Sequence, residues 1–281
     1  MGVARLYYRL VKFEHTVFAL PFAYVGALLA VHGVPSAHDL FWITIAMVGA
    51  RSLAMALNRL VDAQIDAANP RTAERELPSG AHAANDVLLF CAASLGLYVL
   101  AVWQLDPLVR WLAPIPVAAF VVYPYLKRFT WLCHLWLGAV DGLAPLGAWA
   151  AIRGNLPWQA WALGGAVAAW VAGFDLFYAL FDVEVDRAQG LHSWATRFGE
   201  RGAFAGARAL HVATALLLVA AGAGLQVGTL YWLGTLLVAL LLLHEHSLVR
   251  PGDLRRLDAA FFTMNGVISV AFFAFVLADA L

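Results

Sequence analysis

Nine stretches of mostly apolar residues divide this sequence, at about 10–32, 40–62, 87–105, 107–126, 131–151, 158–181, 207–224, 227–246 and 258–280. A helix of about 20 apolar residues spans the hydrocarbon core of a bilayer. Inside that core every backbone N–H and C=O must be satisfied within the protein, so segments of this kind become helices. The expectation is an all-α polytopic membrane protein with nine transmembrane helices, forming a single domain over residues 1–281. Only 13% of the residues are charged and 63% are hydrophobic. A soluble domain carries about a quarter charged residues.

The few charges are unevenly placed. Fifteen of the eighteen lysines and arginines lie in the N-terminal segment and in every second connection after it. Arg110 and Arg153 lie on the other side, and Arg51 lies within a span. Basic residues are retained on the cytoplasmic side. The N-terminus and the long connections are therefore expected in the cytoplasm and the C-terminus outside, in a bacterial-type inner membrane. The first apolar run has no small-residue cleavage pattern after it and reads as the first span. A formal charge of zero leaves no basic footprint for nucleic acid. Cys91 and Cys133 both fall within spans, which argues against a disulfide framework.

Two connections are long, at about 63–86 and 182–206, and both open on the same device. Asp62 and Asp66 are four residues apart, as are Asp182 and Asp186. Residues four apart share a helix face. Asn58 precedes the first pair by four and Tyr178 the second by four; Arg51 and Asp175 extend the two faces by seven. Two helices that project paired carboxylates into one space suit a hard cation. Magnesium takes oxygen ligands and commonly bridges one or two carboxylates to substrate phosphates. The neighbouring arginines repel a cation but attract phosphate. The combination points to a metal–diphosphate substrate.

These residues carry a resemblance. NRLVDAQID (58–66) with NPRTAERELPSG (69–80), and YALFDVEVDRAQGLHS (178–193), resemble the two signatures of the UbiA superfamily of intramembrane aromatic prenyltransferases. YPYLKR (123–128) is similar to a third shared element. The resemblance implies nine helices around a central cavity open laterally to lipid. It implies two Mg2+ ions and the diphosphate of a polyprenyl donor, held by Asp62, Asp66, Asp182 and Asp186 as metal ligands with Asn58. Arg71, Lys127 and Arg128 become diphosphate contacts. Arg59 stands where many members have aspartate, which removes one possible ligand. KFEHTVFALPFA (12–23), the NPRT form of the first loop and GLHS (190–193) are more similar to the branch that prenylates 1,4-dihydroxy-6-naphthoate for menaquinone. The branch that prenylates 4-hydroxybenzoate for ubiquinone is the close second. Fold likeness alone does not choose between them.

For the chemistry, Arg51 is the expected partner of the acceptor carboxylate. Asp175 is a candidate for orienting a phenol. Tyr178, Tyr123 and Tyr125 are candidates to shield an allylic cation with their ring faces. An arginine within a span is otherwise explained by snorkelling or by an ion pair with Asp66 or Asp182. His244, Glu245 and His246 read as interfacial polar residues at a helix end, and the eleven tryptophans as interfacial anchors. An ion- or proton-coupled transporter is the alternative class. Transporters built from repeats show matched broken helices in two halves. Here the two motifs lie at one membrane face and their flanking helices share little.

Overall fold

The computed structural model of the protein describes residues 16–250, 252, 254 and 264–281. The order of helices is α1 (Thr16–Val31), α2 (Ala37–Ala68), α3 (Ala84–Trp103), α4 (Pro107–Leu112), α5 (Pro114–Leu126), α6 (Cys133–Arg153), α7 (Trp158–Tyr178), α8 (Val183–Ala188), α9 (Trp194–Gly224), α10 (Thr229–Leu248) and α11 (Asn265–Ala280). Seven helical stretches are long and apolar enough to cross a membrane, with α4 and α5 together making one of them. Two shorter apolar helices, Ala19–Val31 and Asn265–Ala280, border residues that are not described. The proposed starts of the first and last spans, with Lys12, Arg255 and Arg256, fall outside the described residues.

Local chemistry sets the helix ends. Ser36 caps α2 by accepting a hydrogen bond from Asp39 N at 3.1 Å. Ser193 and Thr196 cap α9 reciprocally. Pro107 and Pro114 open α4 and α5, where the missing N–H is not needed. Gly154 closes α6 at φ 62°, a left-handed position that glycine adopts without strain.

The packing order places α7 at the centre. It lies between α6 and α9, while α1 packs on α6 and α11, α2 on α3 and α5, and α10 on α11. Most of α7 is buried, including Trp170 and Phe177. A helix that is apolar all round belongs inside a bundle. Trp170 and Trp149 are therefore core residues, while Trp103, Trp111, Trp158 and Trp161 are exposed as interfacial residues would be.

Small residues let α6 approach α7. A Cβ on Gly142 would stand 2.5 Å from Gly164 O, and one on Gly138 would stand 2.2 Å from Ala168 O. Backbone cannot yield as a flexible side chain can. Gly138→Ala is expected to lower the unfolding temperature in detergent, with overpacking costing about 1–3 kcal/mol. Gly96→Ala, where a Cβ meets nothing within 4 Å, is the control and should leave it unchanged. Equal unfolding temperatures for the two variants would refute the close-approach argument.

Candidate active site

Helix α2 runs past the expected span end to Ala68, so its last turns carry Asn58, Asp62 and Asp66 on one face as the spacing predicted. Asn58 Nδ2 donates to Asp62 Oδ2 at 3.1 Å. The Asp62 and Asp66 side chains are 4% and 6% exposed, so both carboxylates are held inside the protein.

The second motif differs from the expectation. Helix α7 ends at Tyr178, a 3-10 turn covers Ala179–Phe181, and Asp182 has φ -106° and ψ 1°. The face through Asp175 and Tyr178 is therefore broken before Asp182. Asp182 and Asp186 still share one turn, because Asp186 N donates to Asp182 O at 2.7 Å. The two long connections are also shorter than expected, since α2 extends into the first and α8 and α9 occupy most of the second.

Cations answer the carboxylates. Lys127 Nζ lies 2.7 Å from Asp62 Oδ2, and Arg128 Nη2 lies 3.2 Å from Asp62 Oδ1. Arg128 also donates to the backbone oxygens of Val61 and Pro124, which ties α5 to α2. Arg75 Nη1 sits between the two oxygens of Asp66 at 2.6 and 2.7 Å. Arg71 donates through Nε and Nη2 to Asp182 at 3.1 and 2.5 Å, and through Nη1 to Tyr178 OH at 2.5 Å. Burial opposes the Arg71 charge, but its bonds to Asp182 and Tyr178 outweigh that and raise its pKa. Burial pushes the Asp186 carboxyl above the ordinary carboxylate range, and Asp182 adds to the rise; Lys127, a Ser193 hydrogen bond and His134 oppose it.

Two cavities meet here. A polar one of about 180 Å³ is lined by Asn58, Asp62, Asp66, Arg71, Lys127, Asp175, Tyr178, Asp182 and Asp186 among others. An apolar one of about 360 Å³ lies deeper, bounded by α2, α5, α6 and α7, with Arg51 in its wall. Asn58, Arg75, Tyr123, Asp175 and Tyr178 line both, so the cavities adjoin. Arg128 lines neither but holds Asp62 from behind. Tyr125 also lines neither; it is 45% exposed and stacks beside Arg128, which corrects its assignment as a cation shield.

Arg51 does not pair with Asp66 or Asp182. Its Nη1 lies 3.9 Å from Asp141 Oδ1 on α6, and its Nε is buried without a hydrogen-bond partner. The interfacial reading of Glu245 also fails: it is fully buried between helices, while His246 Nε2 lies 3.0 Å from His211 Nδ1.

Among the described residues, no three His, Cys, Asp or Glu side chains form a ready-made cation site. Magnesium needs no such cage, since one or two carboxylates plus substrate phosphates suffice. The oxygen-rich set on both motifs, with the buried Asp62 Oδ1 making no hydrogen bond, fits that mode.

The comparisons agree with this geometry. Residues 19–273 match the UbiA prenyltransferase family. The chain belongs to that family. It is an aromatic prenyltransferase built on apolar helices as an integral membrane protein. A 4-hydroxybenzoate octaprenyltransferase of Vibrio cholerae serotype O1 is 32% identical over 267 residues, covering 94% of each chain. The apo structure of a UbiA homolog from Aeropyrum pernix K1 superposes with a TM-score of 0.87 at 33% identity, covering 95% of this chain and 98% of that one. A UbiA homolog from Archaeoglobus fulgidus, bound to DMAPP and Mg2+, has the same fold with a TM-score of 0.78 at 19% identity, covering 98% of each chain.

Four more residues take part in this UbiA-family site, and two of them, Asn69 and His134, escaped the sequence reading. Asn69 Nδ2 donates to Asp182 Oδ1 at 3.0 Å, and its Oδ1 accepts from Arg71 N at 3.0 Å, which presents Arg71 to the second motif. Arg75 neutralises Asp66. His134 pairs with Asp175, and Asp141 pairs with Arg51. Asn69 lies within the NPRT stretch, so a search for polar side chains flanking Arg71 would have found it. His134 had no local signal, because its partner comes from another helix; Asp141 stood out as a carboxylate within a span, but its partner Arg51 did not.

Proposed function

We propose that this enzyme transfers a polyprenyl group from its diphosphate to an aromatic carboxylic acid. The observation that carries the reading is the junction of the two cavities. A carboxylate- and cation-lined chamber opens onto an apolar chamber whose wall holds Arg51, two turns before Asn58 on α2, besides Arg59 and Arg75. The first suits a diphosphate and the second a prenyl chain with a ring beside it.

Asp62, Asp66, Asp182 and Asp186 would hold magnesium, in our reading two ions. Bound magnesium neutralises the diphosphate and makes it a better leaving group. Arg71 and Lys127, now matched to carboxylates, are the cations that phosphate oxygens would engage, with Asn58 beside them; Arg128, outside the cavity wall, acts through Asp62. The prenyl C1–O bond breaks with its electron pair leaving on the diphosphate. Tyr123 and Tyr178, which line both cavities, are the aromatic side chains that would shield the allylic cation. A ring carbon of the acceptor bonds to C1, and its proton passes to the released diphosphate, which restores the aromatic ring. Arg51 receives the acceptor carboxylate, and Asp175 lies beside the reacting ring. The membrane lipid surrounds nine spans, with the N-terminus and the aspartate motifs on the cytoplasmic side.

The acceptor we assign is 1,4-dihydroxy-6-naphthoate, supported by the three sequence elements noted above; 4-hydroxybenzoate is the second reading, supported by the names of the relatives. Asn69, Arg71, Thr72, His192 and Ser193, from two of those elements, line the polar cavity, and the third begins outside the described residues.

In liposomes, a polyprenyl diphosphate with either acid should give a prenylated product and pyrophosphate only when magnesium is present. Mass spectrometry of the two parallel reactions assigns the acceptor. No product with either acid, with ion flux in the same liposomes, would overturn the reading in favour of a transporter.

A further inference from the structure

His134 lies in the first turn of α6 and Asp175 near the end of α7. His134 Nδ1 is 2.7 Å from Asp175 Oδ2, and the two side chains are 10% and 14% exposed. The other ring nitrogen, His134 Nε2, is buried without a hydrogen-bond partner. Buried polar atoms in native proteins are nearly always paired, so such an exception calls for an explanation. His134 lines the polar cavity with Asp62, Lys127 and Asp186, and it is absent from the wall of the apolar one. Its influence on the Asp186 carboxyl places it within electrostatic reach of the second motif.

We propose that His134, oriented by Asp175, is a further contact to the donor diphosphate and donates its Nε2–H to a phosphate oxygen. The proposal rests on the prenyl-diphosphate reading given above. A carboxylate on Nδ1 and a phosphate oxygen on Nε2 make both ring nitrogens donors, which is the imidazolium form. The bond is then charge-assisted. Asp175 is a positioning residue: it fixes the ring through Nδ1, as the partner of one imidazole nitrogen sets what the other presents. Negative charge grows on the diphosphate as the C1–O bond breaks, and a donor already in place stabilises it without reorganisation. The proton stays on Nε2, so the contact transfers no group.

The test compares wild type, His134→Gln and His134→Lys, with two readouts. One is the binding of a prenyl thiolodiphosphate to the detergent-purified protein with magnesium; the other is steady-state kinetics for each substrate in liposomes. Glutamine can still bond Asp175 but offers the phosphate no cation. His134→Gln should weaken thiolodiphosphate binding and raise the donor KM by roughly ten- to hundredfold, the range for a charge-assisted hydrogen bond. The acceptor KM should not move. His134→Lys, which restores a cation, should recover part of the donor affinity. Donor binding in His134→Gln equal to wild type would overturn the proposal. So would a loss confined to the acceptor KM, which would make His134 part of the acceptor site. Wild-type protein that binds thiolodiphosphate but forms no prenylated product would sink the transferase reading alone, and the binding comparison would still decide the role of His134.

Discussion

Asp62→Asn and Asp182→Asn should each lower prenyl-transfer turnover by roughly two to three orders of magnitude, since metal stabilisation of developing charge contributes several kcal/mol at about 1.4 kcal/mol per decade. Asparagine keeps the size and one oxygen of each side chain but removes the charge a cation needs. The two sites differ in what else they lose. Asp62 is held by Lys127 and Arg128, so asparagine there leaves two cations without their anion on α2. Asp182 is held by Arg71 and Asn69, so asparagine there frees a loop arginine. Apparent magnesium affinity should fall in both variants, and raising magnesium should recover only part of the rate. The proteins should still insert and unfold cooperatively, because the core around α7 lies away from these residues. Near-normal turnover of both variants at low magnesium would defeat the metal assignment.

The fold was legible wherever the information was local. Apolar length located the helices, and the i, i+4 rule placed Asp62 and Asp66 on one face because α2 is continuous through them. The same rule held for Asp182 and Asp186 but misjudged their continuity with Asp175 and Tyr178. A 3-10 turn between Tyr178 and Asp182 shifts the register, and nothing in the spacing of aspartates reveals a change of helix type. Partners were the least legible feature. Arg51 was expected to meet the acceptor carboxylate, with a motif aspartate as the alternative partner; within the protein it faces Asp141 instead of Asp66 or Asp182, since α2 passes α6 at that depth. His134 and Asp175 are 41 residues apart, and Arg71 and Asp182 are 111 apart. Such contacts depend on which helices pack together, which a single sequence does not state. Glu245 was misread for a related reason: its helix end looks interfacial by position, but packing encloses it.

Arg51→Lys should raise the acceptor KM by roughly ten- to hundredfold while the donor KM and the magnesium dependence stay as they are, from the 1.5–3 kcal/mol typical of a hydrogen bond to a charged group. Arg51 stands seven residues before Asn58 on α2, about 10 Å deeper at 1.5 Å per residue. It lines the apolar cavity and not the polar one. Its present partner is weakly engaged, for 3.9 Å to Asp141 exceeds hydrogen-bonding distance. The guanidinium fork is therefore available to a planar carboxylate, which it matches in a bidentate way that lysine does not reproduce. Asp141 gives a second arm to the test. Its carboxylate competes for Arg51 and repels an incoming acid, so Asp141→Asn should lower the acceptor KM, opposite in sign to the effect at Arg51. Steady-state kinetics with each substrate varied in turn separates the cases. A loss that appears on the prenyl diphosphate instead would move Arg51 to the donor site, and the acceptor carboxylate would then need another partner in the apolar chamber.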